Sequence, residues 1–152
     1  MKNFPFFIAS IFWLGFLVAI SFFETPLKFQ VDSIDVFEGI ALGKLLFNVM
    51  NKIEMFFLIP LLIEIIVINA SLKHRMLVTL LVVFVFLQGI WLLPEMNAIT
   101  EEVIRTQTRS NSSLHSVYVV FEVLKLIALV WLSSVQIKCN KKAPSTDVKE
   151  AF

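Results

Sequence analysis

Four long apolar runs most limit what this chain can fold into. They cover Phe4–Phe23, Met55–Ala70, Met76–Leu93 and Val117–Val135. A helix needs roughly 17–25 residues to cross the hydrocarbon core of a bilayer, so each run is a candidate span, the second once Leu45–Ile53 extends it. Hydrophobic residues make up 58% of the chain and charged residues only 16%, whereas a soluble domain carries about a quarter charged residues. The sequence therefore predicts an all-α integral membrane protein.

The predicted architecture is a four-helix up-down bundle formed by residues 1–137, followed by a flexible cytoplasmic tail at 138–152. The spans are predicted at about 4–23, 47–70, 76–93 and 117–136. From Val36 onwards apolar and polar residues alternate with a helical period, which predicts an amphipathic segment before helix two. The first apolar run exceeds the roughly 7–15 residues of a signal-peptide core, so we expect it to remain as an uncleaved helix.

Basic residues near the span ends indicate the orientation of the bundle. Lys2, Lys73, Arg75 and four lysines after residue 137 fall on one side, and cytoplasmic segments carry the excess of Lys and Arg. We expect both termini in the cytoplasm, in a bacterial inner membrane. The expected partners are membrane lipids and either further copies of the chain or a larger membrane complex. A formal net charge of +1 gives no general attraction to nucleic acid, and no nucleic-acid partner is expected.

The last span carries Glu122 and Lys125 inside its apolar run. Ionisable groups at membrane depth are costly and usually face a bundle interior, a partner or a water-filled cavity. Residues three or four apart share a helix face, and one such stripe consists of His115, Tyr118, Glu122, Lys125, Leu129, Ser133 and Gln136. Two interpretations stay open. The pair is an internal contact that fastens helix four to its neighbours, or it lines a polar cavity that binds a headgroup, a proton or a small solute.

Glu64, in the second span, also needs a partner. If the second span starts outside near Lys52, Glu64 lies about 18 Å down at 1.5 Å per residue, and Lys125 lies about 12 Å down from the start of helix four. A long lysine side chain can bridge that difference, so we predict a polar cluster of Glu64, Lys125 and Glu122, with Tyr118 on the same stripe. A protonated Glu64 without a charged partner is the alternative, because desolvation favours the neutral carboxyl group. The predicted outer mouth of the bundle contains Glu24, Asn48, Asn51, Glu54 and His115.

Catalysis and metal binding have little support in the sequence. It contains no GxSxG motif and no Cys–His pair at one predicted depth, so no catalytic residue is assigned. The single cysteine, Cys139, excludes an internal disulfide and any CxxC site. Soft ligands for copper(I) could come from Met50, Met55, Met96 and His115, but none stand at a diagnostic spacing and methionine commonly fills gaps. His74 and His115 are predicted on opposite membrane faces, which disfavours haem. No metal or cofactor is expected.

We therefore expect a non-enzymatic inner-membrane protein. It would bind a lipid or small solute, or support another membrane complex, through a polar site between helices two and four. The alternative is a small proton-coupled transporter or carrier that acts as an oligomer, since four helices rarely enclose a wide path alone. A membrane enzyme ranks third.

The first third of the chain carries three short motifs. Residues 15–29 read GFLVAISFFETPLKF, and GKLLF at 43–47 and NKIE at 51–54 follow. Together these motifs resemble those of small bacterial four-helix membrane proteins of unknown function. Those proteins have small residues in helix one, an E-x-P-x-x-F exit, a G-x-x-x-F element and an N-x-x-E motif before helix two. The resemblance implies a four-helix bundle and no particular reaction. It also suggests that Glu24, Pro26, Phe29, Asn51 and Glu54 form the outer mouth.

Overall fold

The computed structural model describes residues 4–24, 27, 30, 34–68, 70–108 and 113–142, without the side chains of residues 24 and 139–142. The described residues form four helices and no strand, which confirms the predicted all-α class. Helix α1 is α-helical at Phe4–Val18 and π-helical at Ala19–Glu24. Helix α2 is Val36–Val67. Helix α3 is α-helical at Leu72–Leu87, π-helical at Gln88–Leu92 and α-helical again at Leu93–Thr106. Helix α4 is Leu114–Lys142.

Helix α2 joins the predicted amphipathic segment and the second span into one helix of 32 residues. Asp35 accepts a hydrogen bond from the backbone N–H of Phe37, and Glu38 accepts one from the backbone N–H of Asp35. This reciprocal capping box satisfies amide groups that have no partner within the helix. The predicted span to residue 70 is too long, because α2 ends at Val67 and Ser71 already caps α3.

A π-helical segment interrupts α3 at Gln88–Leu92. The Leu93 N–H bonds to the Gln88 carbonyl oxygen five residues back, so the hydrogen-bond register shifts by one residue just before Pro94. Proline lacks an N–H and normally breaks a helix interior. At this point the register is already changing, and α3 continues through Pro94 to Thr106.

Gly89 and Asn51 bring α2 and α3 close together beside this segment. The Asn51 amide donates to the Val85 carbonyl oxygen at 3.0 Å, one turn before the π-helical segment. A Cβ atom on Gly89 would lie 2.7 Å from Asn51 Oδ1. In contrast, a Cβ on Gly15 would meet no atom within 4 Å. Among the described residues, no neighbouring helix therefore approaches closely at Gly15.

The four helices share one apolar core. It contains Trp13 and Leu17 of α1, Met50, Leu58 and Leu61 of α2, Leu77, Val78, Leu81 and Val85 of α3, and Ala128, Leu129 and Leu132 of α4. Helix α1 packs against α2 and α4, and α3 also packs against both. Large apolar side chains cover the outside of all four helices. A surface of this kind is typical of contact with lipid.

Three helical stretches in the described chain are long and apolar enough to cross a membrane: Phe4–Phe23, Leu72–Thr106 and Leu114–Lys138. Helix α4 continues to Lys142, so residues 138–142 are helical where a flexible tail was predicted. The rest of that predicted tail lies outside the described residues.

Candidate functional site

Three charged residues meet in the interior between α2 and α4, and we call Glu54, Glu122 and Lys125 the lysine cluster. Lys125 Nζ lies 2.5 and 2.6 Å from the two carboxylate oxygens of Glu54 and 2.8 Å from Glu122 Oε1. Both Glu54 and Lys125 are completely buried. The lysine thus directs its three donors at two carboxyl groups, as a buried ammonium requires.

Helices α1 and α3 complete the surroundings of the lysine cluster. Trp13 Nε1 donates to Glu54 Oε1 at 3.3 Å, and Gln88 Nε2 donates to Glu122 Oε1 at 2.9 Å. Ser21 donates a longer bond to Glu122 Oε2, at 3.4 Å. Every helix therefore contributes a polar side chain to this one cluster.

Tyr118, one turn before Glu122 on α4, is also buried, and its hydroxyl group donates to Met50 Sδ at 3.8 Å. Its ring packs against Phe47, with 4.5 Å between the ring centroids. Tyr118 therefore closes the end of the lysine cluster that faces the start of α4.

A second polar group lies further along the same two helices. We call Glu64, His74, Ser133 and Gln136 the histidine cluster; all four are buried. Glu64 Oε2 accepts from Gln136 Nε2 at 2.7 Å and lies 3.1 Å from His74 Nε2. Ser133 precedes Gln136 by one turn on the same face of α4. This cluster joins α2, α3 and α4 at the end of the bundle where α3 begins.

Three oxygen atoms of the histidine cluster have no hydrogen-bond partner among the described residues: Glu64 Oε1, Gln136 Oε1 and Ser133 Oγ. His74 Nε2, although 3.1 Å from Glu64 Oε2, forms no hydrogen bond among the described residues either. Buried polar atoms are normally paired, so four such atoms in one small cluster are unusual. In the lysine cluster and its surroundings, the described residues leave one such atom, Gln88 Oε1.

An apolar layer separates the two clusters. Leu58 and Leu61 of α2 and Ala128, Leu129 and Leu132 of α4 lie between them and are buried. Glu54 and Glu64 are ten residues apart in the sequence, which corresponds to about 15 Å along a helix. The polar interior thus consists of two separate clusters rather than one continuous hydrogen-bond network.

The structure corrects the predicted partner of Lys125. Glu122 is a partner, as expected, but the partner on the second helix is Glu54 rather than Glu64. The predicted depth of Glu64 took the second span to start near Lys52, whereas α2 starts at Val36. Glu54 therefore lies deep in the bundle instead of at its mouth, while Glu64 lies too far along α2 and pairs with His74 and Gln136.

The other predicted mouth residues do not form one group. Asn48 and Asn97 exchange two hydrogen bonds at 2.9 and 3.1 Å, and Asn51 is buried against α3. His115 is exposed, with its ring 5.9 Å from that of Phe47. The side chain of Glu24 lies outside the described residues, as do Pro26 and Phe29.

Several residues at the two clusters were not predicted as site residues, although the sequence carries traces of them. Trp13 stands in the middle of an apolar run, whereas tryptophan in membrane proteins prefers the interface. Gln88 is one of only two clearly polar residues in its run. His74 looked like part of a basic loop, and nothing in the sequence pairs it with Glu64.

No group of three His, Cys, Asp or Glu side chains in the described residues has the arrangement to hold a metal ion. The residues instead define a class: an all-helical protein with three helices long and apolar enough to cross a membrane and with charged side chains buried between them. Comparison of the chain with protein-family models, curated proteins and solved structures finds no match.

Proposed function

We propose that the chain is a non-enzymatic, four-span integral membrane protein whose polar interior between α2 and α4 binds a small cationic solute. At the lysine cluster the proposed solute is a proton. The observation that carries this proposal is the charge count: two carboxyl groups and one ammonium group are buried together. With all three ionised the cluster has a net charge of −1. An unbalanced charge in a desolvated site is costly, and a bound proton removes it.

The contacts within each of the two clusters support an up-down bundle with α2 as the fourth span. Glu54 meets Lys125, and ten residues later Glu64 meets Gln136, as expected for parallel α2 and α4. Along α3 the order is reversed, since His74 meets Glu64 and the later Gln88 meets Glu122. Because Glu54 and Glu64 are buried, the outer surface of α2 after Lys52 is apolar.

The bound proton can be tested by infrared difference spectroscopy of the purified protein in lipid nanodiscs, across a pH titration. The Glu64→Gln variant serves as the background, because it removes the only other described buried carboxyl group in the interior. We expect one protonated carboxyl band per chain at neutral pH in this background. Adding either Glu54→Gln or Glu122→Gln balances the remaining charges, so we expect each addition to abolish the band.

Glu38→Gln in the same background is the matched control, because Glu38 lies in the exposed capping box at the start of α2. It should leave the band unchanged. The proposal is wrong if the background variant shows no protonated carboxyl group, or if the band persists after either Glu54→Gln or Glu122→Gln.

The second candidate function is a small proton-coupled carrier acting as an oligomer. This function is favoured by the position of the lysine and histidine clusters on the same pair of helices, with an apolar layer between them. Proteoliposomes with a trapped pH-sensitive dye test it. A carrier should acidify the lumen under an imposed proton gradient and should lose this activity on Glu64→Gln. Glu38→Gln again serves as the control.

We also propose where the protein lies, which proteins it is related to and what it contacts. The excess of lysine and arginine at one set of span ends supports cytoplasmic termini in a bacterial inner membrane. The motifs at residues 15–54 support kinship with the small bacterial four-helix membrane proteins. The apolar outer surface supports contact with lipids, further copies of the chain or a larger complex. A stoichiometric partner that co-purifies from native membranes would favour the accessory role over solute binding.

A further inference from the structure

We infer that the histidine cluster is a separate binding site for one monovalent cation, a sodium ion or a proton, held at Glu64 Oε1. The site does not depend on the proposed function of the lysine cluster. It rests on which oxygen atoms of the cluster are paired and which are not.

The two oxygen atoms of the Glu64 carboxyl group have different surroundings. Oε2 accepts the Gln136 amide at 2.7 Å and faces His74 Nε2 at 3.1 Å. Oε1 is buried and, among the described residues, has no partner. A carboxylate oxygen in this state is missing a donor or a cation, because an unsatisfied charged group in the interior is far more costly than a paired one.

Two neutral oxygen atoms accompany Glu64 Oε1. The Gln136 side chain touches Glu64 through its nitrogen, and its own Oε1 is unpaired within the described chain; the Ser133 hydroxyl group, one turn earlier, is unpaired there as well. All three residues are at least nine-tenths buried. Carboxylate, amide and hydroxyl oxygens are hard donors, which suit hard cations rather than soft transition metals.

Charge selects a monovalent ion. Calcium usually takes six to eight oxygen ligands with several carboxylates, and Glu64 is the one carboxylate of the histidine cluster. The titratable group that faces it from α3 is His74. Helix α4 contributes the neutral Gln136 and Ser133. Its Lys125 forms ion pairs with Glu54 and Glu122 instead. One positive charge balances the single carboxylate of Glu64.

The test uses the purified full chain in detergent, with Tm measured at alkaline pH in sodium chloride against choline chloride of equal ionic strength. If the ion is sodium, we expect a saturable rise in Tm, roughly 4–8 °C. If the ion is a proton, Tm should be indifferent to sodium and should fall as the pH rises. In Glu64→Gln, whose amide N–H group can take the cation's place, the sodium response should disappear. Its fall in Tm with pH should shrink to the part that the lysine cluster contributes.

Two further variants distinguish a cation held at Glu64 from a titration of His74. Ser133→Ala removes one neutral ligand and no charge, so it should raise the sodium concentration for half-maximal effect several-fold. His74→Gln keeps a donor toward Glu64 but cannot titrate, and the ion response should persist in it. The proposal is overturned if the wild type responds to neither sodium nor pH, if Glu64→Gln responds equally, or if His74→Gln abolishes the response.

Discussion

The two buried clusters use similar residues but differ in how completely they are satisfied. Both pair a carboxyl group of α2 with polar side chains of α4 and α3. In the lysine cluster each carboxylate oxygen of Glu54 and Glu122 accepts at least one hydrogen bond. In the histidine cluster Glu64 Oε2 accepts one hydrogen bond, from Gln136, and lies 3.1 Å from His74 Nε2, whereas Oε1 accepts none among the described residues.

The difference suggests that the lysine cluster serves mainly the structure and the histidine cluster mainly binding. A buried charge network whose members are all paired fixes one arrangement of the helices, although it adds little net stability compared with apolar packing. A partly satisfied network is costly unless something else completes it. The lysine cluster therefore has the properties expected of a structural contact between helices that, under the proposed function, also binds a proton. The histidine cluster has the properties expected of a site with a missing ligand.

The largest expected effect is that of Lys125→Met, which leaves Glu54 and Glu122 buried without their shared counter-ion. Removing one partner of a buried ion pair costs about 3–5 kcal/mol, and we expect a loss of this order in the free energy of unfolding, measured by SDS titration in mixed micelles. Lys138→Met, at an exposed position on the same helix, is the control. Equal losses in the two variants would show that Lys125 does not hold the bundle together.

Matched Glu→Gln changes compare the clusters directly. In Glu54→Gln, either orientation of the amide turns an N–H₂ group toward the Lys125 ammonium, because both Glu54 oxygens contact it. We expect a loss of about 1.5–3 kcal/mol, the scale of one hydrogen bond to a charged group. In Glu64→Gln the new N–H₂ group replaces an oxygen atom that lacks a donor within the described chain, so stability should be unchanged or higher in sodium-free buffer. A larger loss for Glu64→Gln than for Glu54→Gln would reverse the comparison.

Much of the fold follows from the sequence because the bilayer leaves few choices. Apolar runs of span length must be helical, since every backbone polar group needs a partner within its own segment. The stripe from Tyr118 to Gln136 on α4 is buried at each predicted position, because a period of three to four residues defines a helix face. These features depend only on local spacing.

The pairing between helices could not be predicted in the same way. Which carboxyl group meets Lys125 depends on the axial position of α2 against α4, and that position depends on where α2 begins. A span start placed near Lys52, when α2 begins at Val36, made Glu64 rather than Glu54 the predicted partner of Lys125. The contact of His74 with Glu64 depends likewise on the packing of α3 against α2, for which no local pattern exists.

Gly89 lies where α2 and α3 approach closely beside the lysine cluster, and a substitution there should have a smaller effect. In Gly89→Ala the new Cβ would lie 2.7 Å from Asn51 Oδ1 and 3.1 Å from Met55 Cε. Asn51 must then move and weaken its bond to the Val85 carbonyl oxygen. We expect a loss of about 1–3 kcal/mol. Gly15→Ala, at an open position, is the matched control and should cost nothing, and a similar loss there would remove the proposed role of Gly89.

The smallest effect is expected for an ion pair far from both clusters. Lys44 of α2 lies 2.5 Å from Glu101, near the end of α3. Both side chains are accessible, so water and salt screen their attraction, and exposed pairs of this kind contribute little. Glu101→Gln should lower Tm less than any destabilising change above, and the difference from wild type should vanish at high salt. The effect of Lys125→Met should survive the same salt, because water and ions do not reach the buried pair. If salt abolished both effects equally, the lysine cluster would be open to water, and the contrast between a satisfied and an unsatisfied interior would lose its basis.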